Sequence, residues 1–197
     1  MPLHLVLASA SPRRREMLAA LGLELVVRPV DLDETALADE RPEAYVSRLA
    51  RAKARARCAP GEAVLAADTV VAIGGRLLGK PGDAAEARAM LAALAGREHE
   101  VFTGVALVLG GEPLREASTV ARTAVVFAPL SPAEIDWYVA SGEPMDKAGA
   151  YAIQGLGALL VEEIRGNYSN VVGLPLPATR RLFAELGLDL GELIRRT

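Results

Sequence analysis

The stretch LHLVLASASPRRR, residues 3–15, decides the fold. Its apolar half, Leu3–Ala8, is typical of a buried strand. Ser11 can cap a helix that carries Pro12 at its first position, and Gly22 is a stop signal for that helix. A strand that passes into a helix through so short a turn predicts the first part of an α/β protein.

Strands and helices alternate along the rest of the chain, but hairpin signals interrupt the alternation. Gly74-Gly75 lies between two apolar runs and predicts a tight hairpin, so the sheet contains antiparallel as well as parallel strands. We expect one domain over residues 1–197, an α/β fold with a mixed twisted sheet and flanking helices. The other predicted strands are residues 23–27, 64–67, 70–73, 76–78, 98–109, 117–127 and 158–164, and the other predicted helices are residues 42–58, 83–96, 131–142 and one from about Ala178.

Composition bounds the class of protein. The chain has 197 residues, 51% of them hydrophobic and 24% charged, which is typical of a soluble globular protein and excludes a disordered one. With 22 basic and 25 acidic side chains the net charge is −3, which argues against a nucleic acid polymer as partner but not against a local cationic site. No apolar run approaches the roughly 18 residues of a membrane span. Because Arg13–Arg15 follow the first apolar run instead of preceding it, we expect no signal peptide and a cytoplasmic protein.

Cysteine and histidine are scarce. Cys58 is the only cysteine, and His4 and His99 lie far apart in the sequence. A disulfide within the chain and a cysteine-rich zinc site are therefore excluded. Any bound metal should be a hard cation that carboxylates and phosphates hold.

The sequence does not contain a complete copy of three common enzyme motifs. Residues 74–80 match the spacing of a phosphate-binding P-loop up to Lys80, but Pro81 stands where Ser or Thr is needed, and the glycine pair fits a hairpin instead. No Gly-x-Ser-x-Gly elbow is present, and no Gly-x-Gly-x-x-Gly follows a predicted strand. A P-loop enzyme, a serine hydrolase and a dinucleotide-dependent oxidoreductase are unsupported.

A candidate anion site lies at the first helix. Ser9, Arg13 and Arg14 come between the strand and the helix N-terminus, where backbone N–H groups and the helix dipole attract negative charge. Arginines oppose that dipole, so their presence in the first turn indicates a phosphate that compensates them. A solvated surface turn is the alternative, and these residues alone do not decide between the two.

Lys53 and Asp68 are the next candidates. On a helical wheel of about 100° per residue, Lys53 falls inside the apolar stripe, so it either snorkels or points into a site. Asp68 ends the apolar strand 64–67, where α/β sheets usually place ligands, although a turn cap is the alternative. A phosphatase with an aspartate nucleophile would carry a second acid two residues after Asp68, but Val70 stands there. We therefore interpret Asp68 as a base or a metal ligand. Three arginines fall on the polar face of the helix and are expected to be solvated: Arg48, Arg51 and Arg55.

Three further polar residues complete the candidate set. Lys80 follows a hairpin strand and precedes a capped helix. Gln154 closes the polar loop 146–154, and its amide can bind a base edge with one donor and one acceptor. Glu34 lies in an acidic segment and could complete a metal site with Asp68. The alternatives are an ordinary loop amide for Gln154 and a solvated acid for Glu34.

Six motifs follow one another over nearly the whole chain: LASASPRR at 7–14, LARAKA at 49–54, ADTVV at 67–71, KPGD at 80–83, EPMDKAGAYAIQG at 143–155 and VVGLPL at 171–176. In this combination and order the sequence resembles the Maf family of nucleoside triphosphate pyrophosphatases, also called septum formation proteins. The resemblance implies a two-lobed Maf/ITPase-like α/β fold with a central cleft, a divalent cation and often a homodimer.

The resemblance also implies an activity, the hydrolysis of the bond between the α- and β-phosphates to give a monophosphate and pyrophosphate. Asp68 takes the place of the family's proton acceptor, and Mg²⁺ or Mn²⁺ would be held by Asp68 and Glu34. Arg13, Thr69 and Gln154 fall on the substrate-discriminating positions, with the residues of the branch that acts on dTTP and UTP. The other residues that match the family's polar site are Ser9 and Arg14 as substrate contacts and Lys53 and Lys80 as catalytic cations.

Two other functions remain open at this point. One is a nucleotide-binding regulator of cell division or septum formation without turnover, and the other is a phosphatase that cuts at the γ-phosphate. For the pyrophosphatase, we expect the cations around Asp68 to lower the pKa of its carboxyl group, away from the value that suits a base at neutral pH.

Overall fold

The computed structural model of the chain describes residues 3–56 and 58–194. Its strands are β1 (His4–Leu7), β2 (Val26–Val27), β3 (Glu62–Ile73), β4 (Arg76–Leu78), β5 (Glu98–Leu109), β6 (Arg115–Phe127) and β7 (Val161–Arg165). Its α-helices are α1 (Pro12–Ala20), α2 (Pro42–Arg55), α3 (Ala84–Leu94), α4 (Pro132–Ala140), α5 (Tyr168–Val172), α6 (Leu176–Glu185) and α7 (Leu190–Leu193). Short 3-10 helices occupy Glu143–Asp146, Ala148–Ala150 and Gly155–Leu160.

The described strands form one mixed sheet in the order β2-β1-β3-β5-β6-β7, with β4 paired to β3. β1 pairs in parallel with β2 and with β3, so that Val6 lies opposite Val26 and Val64. β4 runs antiparallel to β3 across a turn in which Gly74 and Gly75 both have positive φ, and β7 runs antiparallel to β6. The expected mixed sheet with flanking helices and the expected glycine hairpin are confirmed.

The chain divides into two compact units. The first comprises Met1–Asp68, Thr103–Ala121 and Gly173–Thr197, and the second comprises Thr69–Phe102 and Arg122–Val172. β3, β5 and β6 therefore each contribute residues to both units, and β3 changes unit between Asp68 and Thr69.

In the first unit the alternation of side chains along the strands sorts the core into two layers. One cluster contains Leu7 and Leu65 with Leu18 of α1 and Phe183 of α6. The opposite cluster is formed by the intervening residues, and it is made of small side chains: Val6, Ala8, Val64, Ala66, Ala106 and Val108, with Ala50 and Ala54 of α2. Because strand side chains alternate with a period of two, Asp68 points to the same face as Val64 and Ala66. Asp68 thus lies on the side of the sheet that α2 covers.

Gly104 of β5 permits the close approach of α2. A Cβ atom at Gly104 would lie 2.3 Å from the carbonyl oxygen of Val46 and 2.9 Å from the backbone nitrogen of Ser47, both in α2. No side chain fits there without a shift of the helix backbone. The glycine therefore fixes the distance between α2 and the sheet.

Gly104→Ala is expected to lower the free energy of unfolding by about 3 kcal/mol, the upper end for an overpacked core, because backbone and not a flexible side chain must move. Gly111→Ala is the control, since beyond its chain neighbours the atom nearest to its Cβ, the carbonyl oxygen of Pro113, is 4.0 Å away. Urea unfolding of both variants measures the difference. Equal stability of the two variants would contradict the close approach.

The second unit has its own apolar core. α3 and α4 pack on each other, and Leu91 and Tyr138 from these helices join Val71, Phe127 and Tyr151 in one buried cluster. This core supports the segment 143–160, which contains the three 3-10 helices and, just before the last of them, Gln154.

Several predicted boundaries are correct. Ser11 accepts a hydrogen bond from the N–H of Arg14, and Pro12 opens α1. Asp83 caps α3, and Ser131 forms a capping box with Glu134 at α4. β5 has the predicted bounds.

Four boundary predictions are wrong. β3 does not end at Asp68 but continues to Ile73, so Asp68 lies within a strand. Residues 158–160 belong to a 3-10 helix, and only Val161–Arg165 pairs with β6. The predicted strand 23–27 is reduced to Val26–Val27, because Leu23 pairs instead with Ile194. The second predicted helix is also shorter, since it ends at Arg55 and not near residue 58.

Among the described residues, none of the helices is both long and apolar enough to cross a membrane.

Candidate active site

Three charged side chains of the first unit meet at the ammonium group of Lys53. Its Nζ lies 2.6 Å from Oδ1 of Asp68 and 2.5 Å from Oε1 of Glu34. Lys53 and Asp68 are only 7% and 6% exposed, whereas the Glu34 side chain is 48% exposed. The predicted place of Lys53 on the buried face of the helix is confirmed, and the two proposed metal-binding carboxylates contact its ammonium group.

The pKa of Asp68 is raised, which corrects the expectation from the sequence. Burial is the largest cause, because removal of water penalises the charged carboxylate. Lys53 and Arg14 lower the pKa but do not outweigh burial, and Glu34 raises it further. The sequence-based expectation of a lowered pKa was wrong because it counted the nearby cations and not the loss of solvent. A raised pKa brings the carboxyl group closer to the value that suits a general base.

A strap formed by residues 33–40 holds Glu34 against α2. The Tyr45 hydroxyl donates to the carbonyl oxygen of Glu34 at 2.9 Å. Arg48 forms a bidentate ion pair with Glu40, with both contacts at 2.7 Å, and donates to the carbonyl oxygen of Thr35 at 3.2 Å. Arg48 is thus not merely solvated, as its place on the helical wheel predicted. It anchors the strap, and the strap presents Glu34 to Lys53.

The Arg48–Glu40 ion pair predicts that the stability of the protein depends on pH. Its hydrogen bonds are the main reason that the pKa of Glu40 falls to about 2 from its usual 4.5. The contribution to stability is therefore present above pH 4.5 and is lost as the pH falls towards 2. In thermal unfolding followed by circular dichroism, Glu40→Gln and Arg48→Met should both show a smaller drop in Tm over that range than the wild type. An unchanged drop in both variants would show that the pair does not secure the strap.

The predicted anion site is organised around Arg14. Its Nε donates to the carbonyl oxygen of Gly173 at 2.8 Å, and its Nη1 donates to Oγ of Ser9 at 3.1 Å. The same Ser9 oxygen accepts the backbone N–H of Ser11 at 3.2 Å. Burial lowers the pKa of Arg14, and the charge of Asp68 opposes this effect. Arg13 is half-buried in the same helical turn.

The first unit therefore contains six of the predicted residues, and charges act between three of them, Arg14, Asp68 and Glu34. The six are Ser9, Arg13, Arg14, Glu34, Lys53 and Asp68.

The remaining predicted residues lie in the second unit. Thr69 follows Asp68 in β3 and is half-buried. Lys80 is exposed in the connection after β4, next to Gly79, whose carbonyl oxygen accepts the N–H of Gly149 at 3.0 Å. Gln154 is exposed and immediately precedes the 3-10 helix Gly155–Leu160.

Sequence reasoning missed the residues that position the candidates. Tyr45 was not among the candidate residues, and Arg48 was expected to be solvated. Both lie on α2 at positions from which a side chain can reach the acidic segment before the helix. The acidic character of residues 31–40 next to an arginine-bearing helix was the available signal, but it does not specify which acid pairs with which base.

The donor set fits a hard divalent cation only in part. Within residues 3–56 and 58–194, no group of three or more His, Cys, Asp or Glu side chains comes together. Asp68 and Glu34 offer carboxylate oxygens around one ammonium group, which is the donor type that Mg²⁺ and Mn²⁺ prefer. The remaining ligands of such an ion would have to be phosphate and water oxygens. The residues fit an ion that arrives with a triphosphate, and not a cage made of protein alone.

Comparison with known proteins decides the family. The family model described as Maf-like protein matches residues 4–186. The chain belongs to the Maf family. The motifs that carry the resemblance all lie within the matched range.

Curated relatives match this Maf protein over most of its sequence. The protein named dTTP/UTP pyrophosphatase from Anaeromyxobacter dehalogenans (strain 2CP-C) is 58% identical over 95% of this chain and 96% of its own. The proteins of the same name from Myxococcus xanthus and Symbiobacterium thermophilum are 57% and 52% identical, over 94% and 95% of this chain and 94% and 96% of theirs. A solved structure, the nucleoside-triphosphatase / dITP/XTP pyrophosphatase from Mycobacterium abscessus, overlaps the Maf chain with a TM-score of 0.45 at 17% identity, over 94% of this chain and 97% of that one.

Proposed function

We propose that this Maf protein hydrolyses dTTP, UTP and related modified pyrimidine nucleotides to the monophosphate and pyrophosphate. The observation that carries the proposal is the buried carboxylate of Asp68, held by Lys53 and raised in pKa, beside the Arg14–Ser9 pair. Relatives named dTTP/UTP pyrophosphatase, 52–58% identical, support the substrate.

In the proposed reaction a water molecule attacks the α-phosphorus, and Asp68 accepts its proton. The bond between the α-phosphorus and the bridging oxygen breaks, and that oxygen leaves with its electron pair as part of pyrophosphate. Lys53 holds Oδ1 of Asp68 and thereby orients the carboxylate, so we assign the proton to Oδ2. In-line transfer of this kind depends mainly on positioning and on stabilisation of charge.

Cationic and polar side chains bind the substrate in this proposal. Arg14 and Lys80 stabilise the negative charge that develops on the leaving pyrophosphate. Ser9 contributes a hydroxyl beside Arg14. Arg13, Thr69 and Gln154 select the pyrimidine nucleotide; these last assignments follow the family motifs.

A divalent cation, Mg²⁺ or Mn²⁺, belongs to the proposal as a substrate-borne cofactor held by Asp68 and Glu34. When bound, it would neutralise phosphate charge and lower the pKa of a coordinated water. The strap at residues 33–40 then serves to keep Glu34 within reach of that ion.

One assay separates this proposal from its two rivals. The protein is incubated with dTTP or UTP and Mg²⁺, and the products are identified. Pyrophosphate with the monophosphate is the expected result. Orthophosphate with the diphosphate would establish cleavage at the γ-phosphate, and tight binding without turnover would establish a nucleotide-binding regulator of cell division.

Compartment and assembly complete the proposal. We assign the protein to the cytoplasm, where nucleoside triphosphates occur and where the single free cysteine, Cys58, has no need of a disulfide partner. We also propose a homodimer, as the family resemblance implies, which sedimentation equilibrium would test. Neither a nucleic acid polymer nor a membrane is a proposed partner.

A further inference from the structure

The carboxylate of Glu143 holds the loop that carries Gln154. Its Oε2 accepts the backbone N–H of Leu156 at 3.0 Å. Its Oε1 accepts the N–H of Gly157 at 3.0 Å and the hydroxyl of Tyr138 at 2.8 Å. One side chain from the start of the 3-10 region thus binds two consecutive backbone amides located 13 and 14 residues further along the chain.

Tyr138 extends this contact to the other side of Gln154. Its ring is fully buried in α4, and its hydroxyl also accepts the N–H of Ala152 at 3.2 Å. The loop is therefore fixed two residues before Gln154 and two residues after it. The side chain of Gln154 projects between these two fixed points and is exposed.

Two glycines let the loop lie directly on these polar groups. Gly155 has φ of +64°, and a Cβ atom there would lie 2.5 Å from Oε2 of Glu143. A Cβ atom at Gly157 would lie 2.2 Å from the carbonyl oxygen of Ala152 and 2.6 Å from the Tyr138 hydroxyl. A residue with a side chain at either position would push the backbone away from the carboxylate or the hydroxyl.

The charged state of Glu143 suits this role. Burial raises the pKa of Glu143, but the N–H groups of Gly157 and Leu156 and the Tyr138 hydroxyl outweigh burial, so that the pKa lies below its usual value. A carboxylate that accepts several hydrogen bonds forms stronger bonds than a neutral acceptor does.

Base selection requires such a fixed backbone. A glutamine amide offers one donor and one acceptor, and rotation by 180° exchanges them. In one orientation it matches the N3–H and O4 of thymine or uracil, and in the other it matches N3 and the amino group of cytosine. Gln154 alone therefore cannot reject cytosine. The groups that do not rotate are the peptide N–H and C=O groups on either side of it.

We propose that Glu143, together with Tyr138, is a positioning residue that sets the preference for thymine and uracil over cytosine by fixing the loop around Gln154. The inference rests on the proposed function, because it takes Gln154 as a base contact. Glu143 itself does not touch the nucleotide. Loss of its carboxylate should relax the base preference more than it weakens the binding of the phosphates.

The test measures binding of the non-hydrolysable α,β-methylene analogues of dTTP and dCTP by calorimetry. In the wild type, the thymine analogue should bind at least tenfold more tightly, within the discrimination expected of a hydrogen-bonding site. Glu143→Ala and Tyr138→Phe should each reduce that ratio several-fold. Glu134→Ala is the matched control, because it removes another hydrogen-bonded carboxylate of the same unit, the one that caps α4. It should lower Tm and leave the ratio unchanged.

A double-mutant cycle that combines Gly155→Ala with Glu143→Ala tests the contact by Tm alone, without nucleotide. Gly155→Ala places a methyl group against Oε2 of Glu143, so its cost in Tm should be smaller when Glu143 is already alanine. Faster hydrogen exchange of the Leu156 and Gly157 amides in Glu143→Ala is also expected. Additive effects on Tm, or unchanged exchange, would show that Glu143 does not hold the loop.

The failure of this inference is distinct from failure of the proposed function. An unchanged binding ratio in folded Glu143→Ala and Tyr138→Phe, or a wild type without base preference, overturns the inference even if dTTP is cleaved to pyrophosphate. A wild type that binds the analogues but does not cleave dTTP overturns the proposed function, while the binding ratios still decide the role of Glu143.

Discussion

Asp68→Asn is expected to reduce kcat for dTTP hydrolysis by roughly 10²–10⁴-fold, the range for removal of a general base. Asparagine keeps the shape of the side chain, and its oxygen can still accept the hydrogen bond from Lys53. It cannot accept a proton from water. Glu34 remains as the charged partner of Lys53, and a neutral amide is less costly to bury than a carboxylate, so the variant should retain a Tm close to that of the wild type. Steady-state release of pyrophosphate, with Tm measured on the same preparation, tests this.

Asp136→Asn is the control for this variant. Asp136 is exposed, forms an ion pair with Arg88 at 2.5 Å, and is not one of the residues assigned to the reaction. It should retain full activity. Full activity in folded Asp68→Asn would remove Asp68 from the mechanism, and unfolding of that variant would instead assign Asp68 a structural role.

Lys53→Met is expected to lower the free energy of unfolding by about 3 kcal/mol at pH 8, because it leaves Asp68 buried without its ammonium partner. Methionine preserves the length and apolar contacts of the stem within α2. Removal of Lys53 also removes the largest influence that lowers the pKa of Asp68, so this pKa should rise further. An acid with a raised pKa is tolerated best when it is protonated, so the loss should be smaller at pH 5 and should grow as the pH rises.

Two measurements check the second prediction. Urea unfolding of wild type and Lys53→Met from pH 5 to pH 8 gives the pH dependence of the stability difference, and the acid limb of the kcat/KM profile should move to higher pH in the variant. Arg51→Met is the control on the same helix, since Arg51 is exposed and its partner Glu116 also pairs with Arg55. It should cost less than about 1 kcal/mol. A stability difference that does not change with pH would show that Lys53 does not control the charge of Asp68.

Local patterns in the sequence predicted much of the fold. The cap at Ser11, the hairpin at Gly74-Gly75 and the bounds of β5 depend on residues close together in the chain, and all are as predicted. Helical periodicity predicted the place of Lys53 on the apolar face of α2, where it is buried.

Boundaries failed where a distant residue intervened. Residues 158–160 are apolar and resemble a strand, but they belong to a 3-10 helix. That helix begins where the carboxylate of Glu143 accepts hydrogen bonds from the backbone amides of Leu156 and Gly157. β3 continues through Asp68 because Lys53, from another element, compensates the charge that appeared to end the strand. Neither the Glu143 contacts nor the Lys53–Asp68 contact can be predicted from the residues next to these boundaries.

By itself, the sequence determined the α/β class, the absence of a P-loop and the set of candidate residues in order along the chain. Only the tertiary structure decided that Glu34 and Asp68 meet on Lys53, that Arg48 anchors the strap, and that the pKa of Asp68 is raised and not lowered. The physical reason is the range of the interactions. Caps, turns and periodic faces arise from contacts within a few residues, whereas burial and ion pairing depend on which distant segments exclude water from a side chain.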